Sequence, residues 1–307
     1  MSDVYQPQRA PRSTFVPLRG LLYHVQQWGD ASLVRPERAP LVLLHGWMDV
    51  GASFQFVVDA LAEADGFARW VIAPDWRGFG LTETPHADSY WFPDYLGDLD
   101  ALLDALVPDG AVDLLGHSMG GNVVMSYAGL RPARIRRLIN LEGFGLPETK
   151  PQHAPKRLVQ WLDELKTPQQ LRSYDSVGAV AERLQNNNPL LGADKAAWLA
   201  PHWSRLEGDG RWHILGHPAH KRPNPVLYRK EEVLETWKLI GAPLLWAEGD
   251  RTDVAKWWGN RYPRSEFDAR LATVPTAVQR VCLSPSGHML HHDQPEALAG
   301  HLARFLA

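Results

Sequence analysis

A serine framed by glycines, Gly116-His117-Ser118-Met119-Gly120, is the segment of this 307-residue chain whose residue types and spacing point most directly to covalent chemistry. The apolar run 112–115 precedes it and the helix-compatible stretch 122–128 follows it. Strand, sharp turn and helix in that order can hold a serine in a strained conformation with its hydroxyl pushed out above a sheet. Bulky side chains two residues to either side would collide, so glycine stands there. The helix N-terminus beneath favours developing negative charge. Ser118 is therefore the expected nucleophile.

A serine hydroxyl is a weak nucleophile at neutral pH. It needs a base, and the base needs a carboxylate to orient it. Both belong on loops that follow later strands. His288 in Ser286-Gly287-His288-Met289 follows the apolar run 278–283 and is the expected base. His291 and His292 lie deeper in the segment, toward a closing helix, and read as structural. No carboxylate or cysteine shows a recognisable ligand spacing with them, so no metal site is expected, and the chemistry calls for no cofactor. The expected acid is Asp250, just beyond the run 244–247 in Glu248-Gly249-Asp250-Arg251. Glu142, ending the preceding strand in Asn140-Leu141-Glu142-Gly143, is its rival, and Glu248 and Asp253 are further candidates. The carboxylates not used would serve as hydrogen-bond acceptors in loops.

Attack on a carbonyl creates an oxyanion, which two preorganised backbone N–H groups can stabilise by about 3–4 kcal/mol each. One is the residue after the nucleophile, Met119. The other belongs to the loop after an early strand, where Leu41-Val42-Leu43-Leu44 runs into His45-Gly46-Trp47. Trp47 is the expected donor. His45 reads as a structural hydrogen-bonding residue.

These groups need a frame. Short apolar runs at 41–44, 70–73, 112–115, 138–141, 244–247 and 278–283 read as buried parallel strands. Helical patterns at 54–64, 95–106, 122–130 and 295–306 alternate with them, and 15–27 reads as a first antiparallel hairpin. Such alternation implies an α/β protein with a mainly parallel sheet and helices on both faces. Between about Phe144 and Glu235 the strand pattern disappears among prolines and short helical patterns. This predicts an insertion, because structureless loops of that length are rare in compact domains. The expected division is core 1–145, helical cap 146–235 and core 236–307. The long segment 252–276 suggests a helix of its own.

Composition narrows the partners. A net charge of −3 favours neither nucleic acid nor an anionic membrane surface. The single cysteine, Cys282, allows no intramolecular disulfide. The polar N-terminal residues 1–14 hold no apolar run of signal-peptide length, and no stretch approaches a membrane span, so a cytoplasmic location is expected. Thirteen tryptophans stand out. Trp161, Trp198, Trp203 and Trp212 fall in the insertion, with Trp47 and Trp76 near core loops. They read as packing residues, or as the walls of an apolar pocket between core and cap. The expected partner is a small apolar acyl substrate, and the oligomeric state is left at monomer or homodimer.

Taken together, these motifs resemble the α/β-hydrolase superfamily over nearly the whole chain. Asp75-Trp76-Arg77-Gly78-Phe79-Gly80 is similar to the family's turn after an early core strand, and Pro295-Glu296 also fits. His45-Gly46-Trp47-Met48-Asp49 and Leu141-Glu142-Gly143-Phe144-Gly145 resemble the serine hydrolase-like branch. The resemblance implies an eight-stranded sheet with a helical cap after the sixth strand. Superfamily members that open epoxides or remove halogen carry aspartate where Ser118 stands, so acyl transfer to water is expected. Carboxylic ester hydrolysis is the leading expectation. Thioesterase, amidase or carbon–carbon bond hydrolase activity would use the same residues, and a non-catalytic binding or regulatory protein of this fold is the other class.

Overall fold

A computed structural model describes residues 4–66 and 69–307, so the first three residues of the polar N-terminal segment lie outside the described residues. Along the chain run β1 (Arg12–Leu18), β2 (Leu21–Trp28), β3 (Leu41–Leu44), α1 (Gln55–Asp65), β4 (Val71–Pro74), α2 (Phe92–Leu106), β5 (Val112–His117), α3 (Met119–Leu130) and β6 (Ile135–Leu141). A long segment then carries α4 (Ala154–Leu165), β7 (Ser173–Tyr174), α5 (Val177–Asn187), α6 (Ala193–Trp203), β8 (Ser204–Leu206), β9 (Trp212–Ile214) and α7 (Lys230–Trp237). The chain closes with β10 (Leu244–Gly249), α8 (Val254–Trp258), α9 (Arg264–Leu271), β11 (Val278–Leu283), α10 (Leu290–Asp293) and α11 (Pro295–Leu306).

Eight strands form one sheet in the order β1-β2-β4-β3-β5-β6-β10-β11. The hairpin β1–β2 and its junction with β4 are antiparallel, and the other pairings are parallel. Alternation along the central strands splits the core into two layers. Leu41 and Leu43 point to the face covered by α1 and α11, while Val42 and Leu44 point to the face covered by α2 and α3. Each covering helix carries an apolar stripe at helical spacing: Tyr95, Leu99, Leu102 and Leu103 on α2, and Leu298, Ala299, Leu302 and Leu306 on α11. The hydrophobic runs in the sequence thus find partners on both faces, as a parallel sheet requires.

The segment between β6 and β10 adds nothing to this sheet. It is not purely helical: β7, β9 and β8 form a small antiparallel sheet of their own. Strands of two or three residues are too short for a period-two pattern to register. A third apolar cluster joins Val180, Leu184, Leu199 and Trp203 of the insertion to Val50, Ala52 and Phe56 of the core. The expected boundary at residue 235 falls inside α7, whose Trp237 is buried in the main core. The segment 252–276 does fold locally, into α8 and α9. Among the described residues no helix is long and apolar enough to cross a membrane.

The insertion is pinned to the turn after β4 by His220. Its ring stacks between Phe79, 3.8 Å away, and Tyr90, 3.5 Å away, and its Nε2–H donates to Arg77 O at 3.2 Å. Burial pushes its pKa from 6.5 down to about 3. The folded chain therefore holds this imidazole neutral while the unfolded chain protonates it. The stability it contributes is complete above about pH 7 and is lost as pH falls through 6.5 toward 3. Replacement by Phe keeps the ring stack and removes the titrating nitrogen. Urea unfolding of His220→Phe is expected to show a shallower loss of stability than the parent between about pH 6.5 and pH 4. An equal slope would remove His220 from the account.

Candidate active site

Ser118 stands between the end of β5 and the start of α3 at φ 53° and ψ −112°, a conformation few L-residues adopt. The flanking glycines permit it. A Cβ on Gly116 would lie 2.2 Å from Gly120 O, and one on Gly120 would lie 2.2 Å from Leu44 O. The turn, the helix start and the end of β3 are therefore packed more closely than any side chain allows. The Ser118 N–H donates to Leu141 O at 2.8 Å, and its carbonyl accepts from Asn122 N at 3.0 Å.

His288, on the loop between β11 and α10, bridges this serine to a carboxylate. Its Nε2 lies 2.9 Å from Ser118 Oγ and its Nδ1 2.6 Å from Glu142 Oε2. A carboxylate accepts, so Nδ1 carries the proton and Nε2 turns a lone pair to the serine hydroxyl. Glu142 is buried, and its second oxygen accepts from Gly249 N at 2.7 Å and Thr252 Oγ1 at 2.6 Å. Both oxygens are thereby fixed.

The carboxylate on the His288 ring is thus that of Glu142, the rival candidate, and not that of Asp250. Asp250 is exposed, and its hydrogen-bond partners do not include His288. It accepts from Ser286 N at 2.9 Å and Ser284 Oγ at 2.7 Å, and these hydrogen bonds hold its carboxyl below the usual range. It braces the turn that leads to the histidine. Glu248 pairs with Arg264 at 2.6 Å, and Asp253 caps α8 through Ala255 N at 3.0 Å. The reason is strand order. Glu142 ends β6, the immediate neighbour of β5, whereas Asp250 follows β10, one strand further out.

Two neighbours of His288 carry no sequence signal. His117 Nε2–H donates to the His288 carbonyl at 2.8 Å, and burial holds the His117 ring well below its ordinary pKa and so neutral. Trp257 of α8 sets its ring at 72° to that of His288, with centroids 4.7 Å apart, and is 43% exposed. On the insertion side, Asn188 Nδ2 donates to Asp293 Oδ1 at 2.7 Å, while Asp293 Oδ2 accepts from Gly287 N at 2.8 Å.

The expected oxyanion residues border the same point. Met119 is the first residue of α3, where backbone N–H groups have no intrahelical acceptor. A Cβ on Gly46 would lie 3.2 Å from Ser118 Cβ, so the loop bearing Trp47 runs against the serine. His45 is buried and structural: its Nε2 accepts from Trp76 N at 2.9 Å, and its carbonyl accepts from Trp76 Nε1 at 3.0 Å. Trp76 and Trp203 are buried packing residues, Trp161 donates to Ser89 Oγ, and Trp198 and Trp212 pack against the third cluster. Trp47, on the loop that runs against Ser118, is 52% exposed, and Trp257 keeps its ring against His288. A cavity of about 510 Å³ lies beside it, lined by Thr252, Val254, Tyr262 and Arg264 among others, and does not reach Ser118.

Residues 39–295 match the family described as alpha/beta hydrolase fold. The chain belongs to that family. A serine hydrolase-like protein of Dictyostelium discoideum is 24% identical over 94% of this chain and 79% of its own length. An AB hydrolase superfamily protein of Bacillus subtilis is 30% identical over 74% of this chain and 68% of its own. Other curated relatives are matched over roughly half of their length or less. Among solved structures, a thioesterase domain from the curacin biosynthetic pathway has a TM-score of 0.79 at 26% identity, covering 95% of this chain and 99% of that one. The family and its serine hydrolase-like branch agree with the motifs around Ser118, Trp47 and Glu142.

In this α/β hydrolase the two carboxylates can be separated by the reactivity of Ser118. Glu142→Gln is expected to slow its labelling by a fluorophosphonate by about 10⁴-fold, since the wrong histidine tautomer costs about that much in related constellations. Asp250→Asn should stay within about tenfold of the parent. The reverse ranking would return the acid role to Asp250.

Proposed function

We propose that this chain is a serine hydrolase that cleaves a carboxylic ester through an acyl-enzyme on Ser118. The observation that carries this is the imidazole of His288, held by Glu142 at 2.6 Å with its other nitrogen 2.9 Å from the Ser118 hydroxyl. As the serine oxygen attacks the ester carbonyl, His288 takes its proton. Glu142 keeps the ring in the correct tautomer and stabilises the imidazolium. The Trp47 and Met119 amides receive the oxyanion, where fixed dipoles are worth more than in water. His288 then protonates the departing alcohol. Water, deprotonated by the same histidine, releases the acid and restores the serine.

The segment 146–235 acts as a cap over this centre. Its hydrogen bond from Asn188 to Asp293 and its Trp203 against the loop after β3 support that role. The exposed faces of Trp47 and Trp257 support a small apolar acyl substrate, because aromatic walls favour apolar groups without offering a countercharge. The likeness to a thioesterase domain makes a thioester the second substrate class to be tested.

A panel of acyl p-nitrophenyl esters, thioesters and lactones tests the proposal. Short to medium or aromatic acyl esters are expected to turn over faster than charged ones, and Ser118→Ala should lose at least about 10⁴-fold in kcat. Retention of most of the esterase activity by that variant would overturn the mechanism. A folded protein that neither turns over the panel nor labels with a fluorophosphonate would instead make this a binding protein.

A further inference from the structure

Behind Ser118 lies a buried group that the mechanism does not use. Asp49 comes from the loop after β3, His117 ends β5, and His291 lies in α10. They are 3%, 2% and 0% exposed. One ligand atom from each lies within 4.8 Å of the other two. His291 Nε2 is 3.6 Å from Asp49 Oδ2. Asp49 Oδ2, His117 Nδ1 and both ring nitrogens of His291 have no hydrogen-bond partner within the normal range. Buried polar atoms are rarely left that way.

The remaining atoms of Asp49 and His117 are already committed. Asp49 Oδ1 accepts from Val50 N at 2.9 Å, from Trp203 Nε1 at 3.1 Å and from Ser53 Oγ. His117 Nε2–H donates to the His288 carbonyl at 2.8 Å. A carbonyl only accepts, so Nε2 carries the proton and Nδ1 must present its lone pair. Asp49 Oδ2 and the Nδ1 lone pair of His117 are thus left without a partner in the buried group that His291 completes. This is the donor set of two histidines and one carboxylate that suits a zinc-type ion. The outer contacts match as well, since ligating histidines typically donate their second N–H to a carbonyl and ligating carboxylates are themselves hydrogen-bonded. Bonds of about 2.0–2.2 Å in a tetrahedral site put ligand atoms roughly 3.3–3.5 Å apart, so the group, now within 4.8 Å, needs to close by up to about 1.5 Å.

We propose that Asp49, His117 and His291 form a second, inhibitory site that takes a divalent transition-metal ion of the zinc type. This departs from the sequence expectation of no metal site, which rested on local spacing around His288, His291 and His292. The ligands instead come from a loop, a strand end and a helix far apart in the chain. Inhibition follows from position: His117 adjoins Ser118 in the chain and holds the carbonyl of His288, so drawing its ring toward an ion shifts both.

The Ser118→Ala protein, stripped with a chelator and loaded with Co²⁺, tests the site independently of any hydrolytic activity. One equivalent of Co²⁺ should remain after gel filtration, with the visible spectrum of a low-coordinate ion. Asp49→Asn keeps the shape and the Oδ1 contacts and should bind at least about 10-fold more weakly. His291→Phe, whose ring can stay against Phe54, should not retain the ion, whereas His288→Ala should. No retained Co²⁺ would refute the site. Retention that survives His291→Phe but is lost in His288→Ala would place the ion on the triad and equally refute it. Inhibition is read separately, as at least a tenfold slower fluorophosphonate labelling of the zinc-loaded parent. An unchanged rate with zinc bound would remove the inhibitory role.

Discussion

Everything around the site depends on the backbone of Ser118 being held at φ 53°. That conformation persists only where the surroundings over-determine it. Here the surroundings are three backbone segments in near contact: Gly116 against Gly120, and Gly120 against the carbonyl of Leu44. No side chain mediates these approaches, so their precision comes from steric exclusion. The same packing brings the β3 loop beside the serine and starts α3 directly after it. The strained turn thus fixes Ser118, the direction of the helix and the position of the neighbouring amides together.

Strain is also distributed in an informative way. Among the described residues, besides Arg19 in the β1–β2 hairpin turn, the non-glycine residues with positive φ are Met48, Ser118 and Glu142, at 57°, 53° and 55°. They follow β3, β5 and β6, three adjacent strands of the sheet. Each carries or adjoins a group of the candidate site: the loop bearing Trp47, Ser118 itself, and the carboxylate on the His288 ring. Such conformations cost about 1–3 kcal/mol each and collect where geometry is constrained by function. The backbone of Glu142 therefore supports its role by a line of argument separate from its hydrogen bond to His288. Asp250 shows no such feature.

Most of the frame was legible from the sequence because it rests on patterns with a direct physical cause. Period-two and period-3.6 hydrophobicity give the central strands and covering helices, and steric need gives the glycines of the turn. Ser118 and His288 follow from those patterns with little freedom. Glu142 was visible only as a rival to Asp250. Both are carboxylates just past apolar strands, and the choice depends on which strand neighbours β5 and which way a side chain leaves a turn. Neither is a local property. The same holds for Asp49, His117 and His291, which meet only through the strand order, and for β7 to β9, whose two or three residues leave no periodicity. What sequence lacks here is adjacency across the sheet.

Adjacency also explains why substrate choice and chemistry are linked in this chain. The loop after β3 is held from below by the core, where Gly51 N donates to Asp75 Oδ1 at 2.7 Å, and by the apolar contacts of Val50, Ala52 and Phe56 with the insertion. Trp203 of α6 reaches Asp49 on the same loop at 3.1 Å. Trp47 lies on this loop between Gly46, which packs against Ser118, and the anchored Asp49. A change that reshapes the insertion to admit a different acyl group therefore pulls on the segment that carries a proposed oxyanion donor. The insertion and the reaction centre share a loop, and selection on one bears on the other.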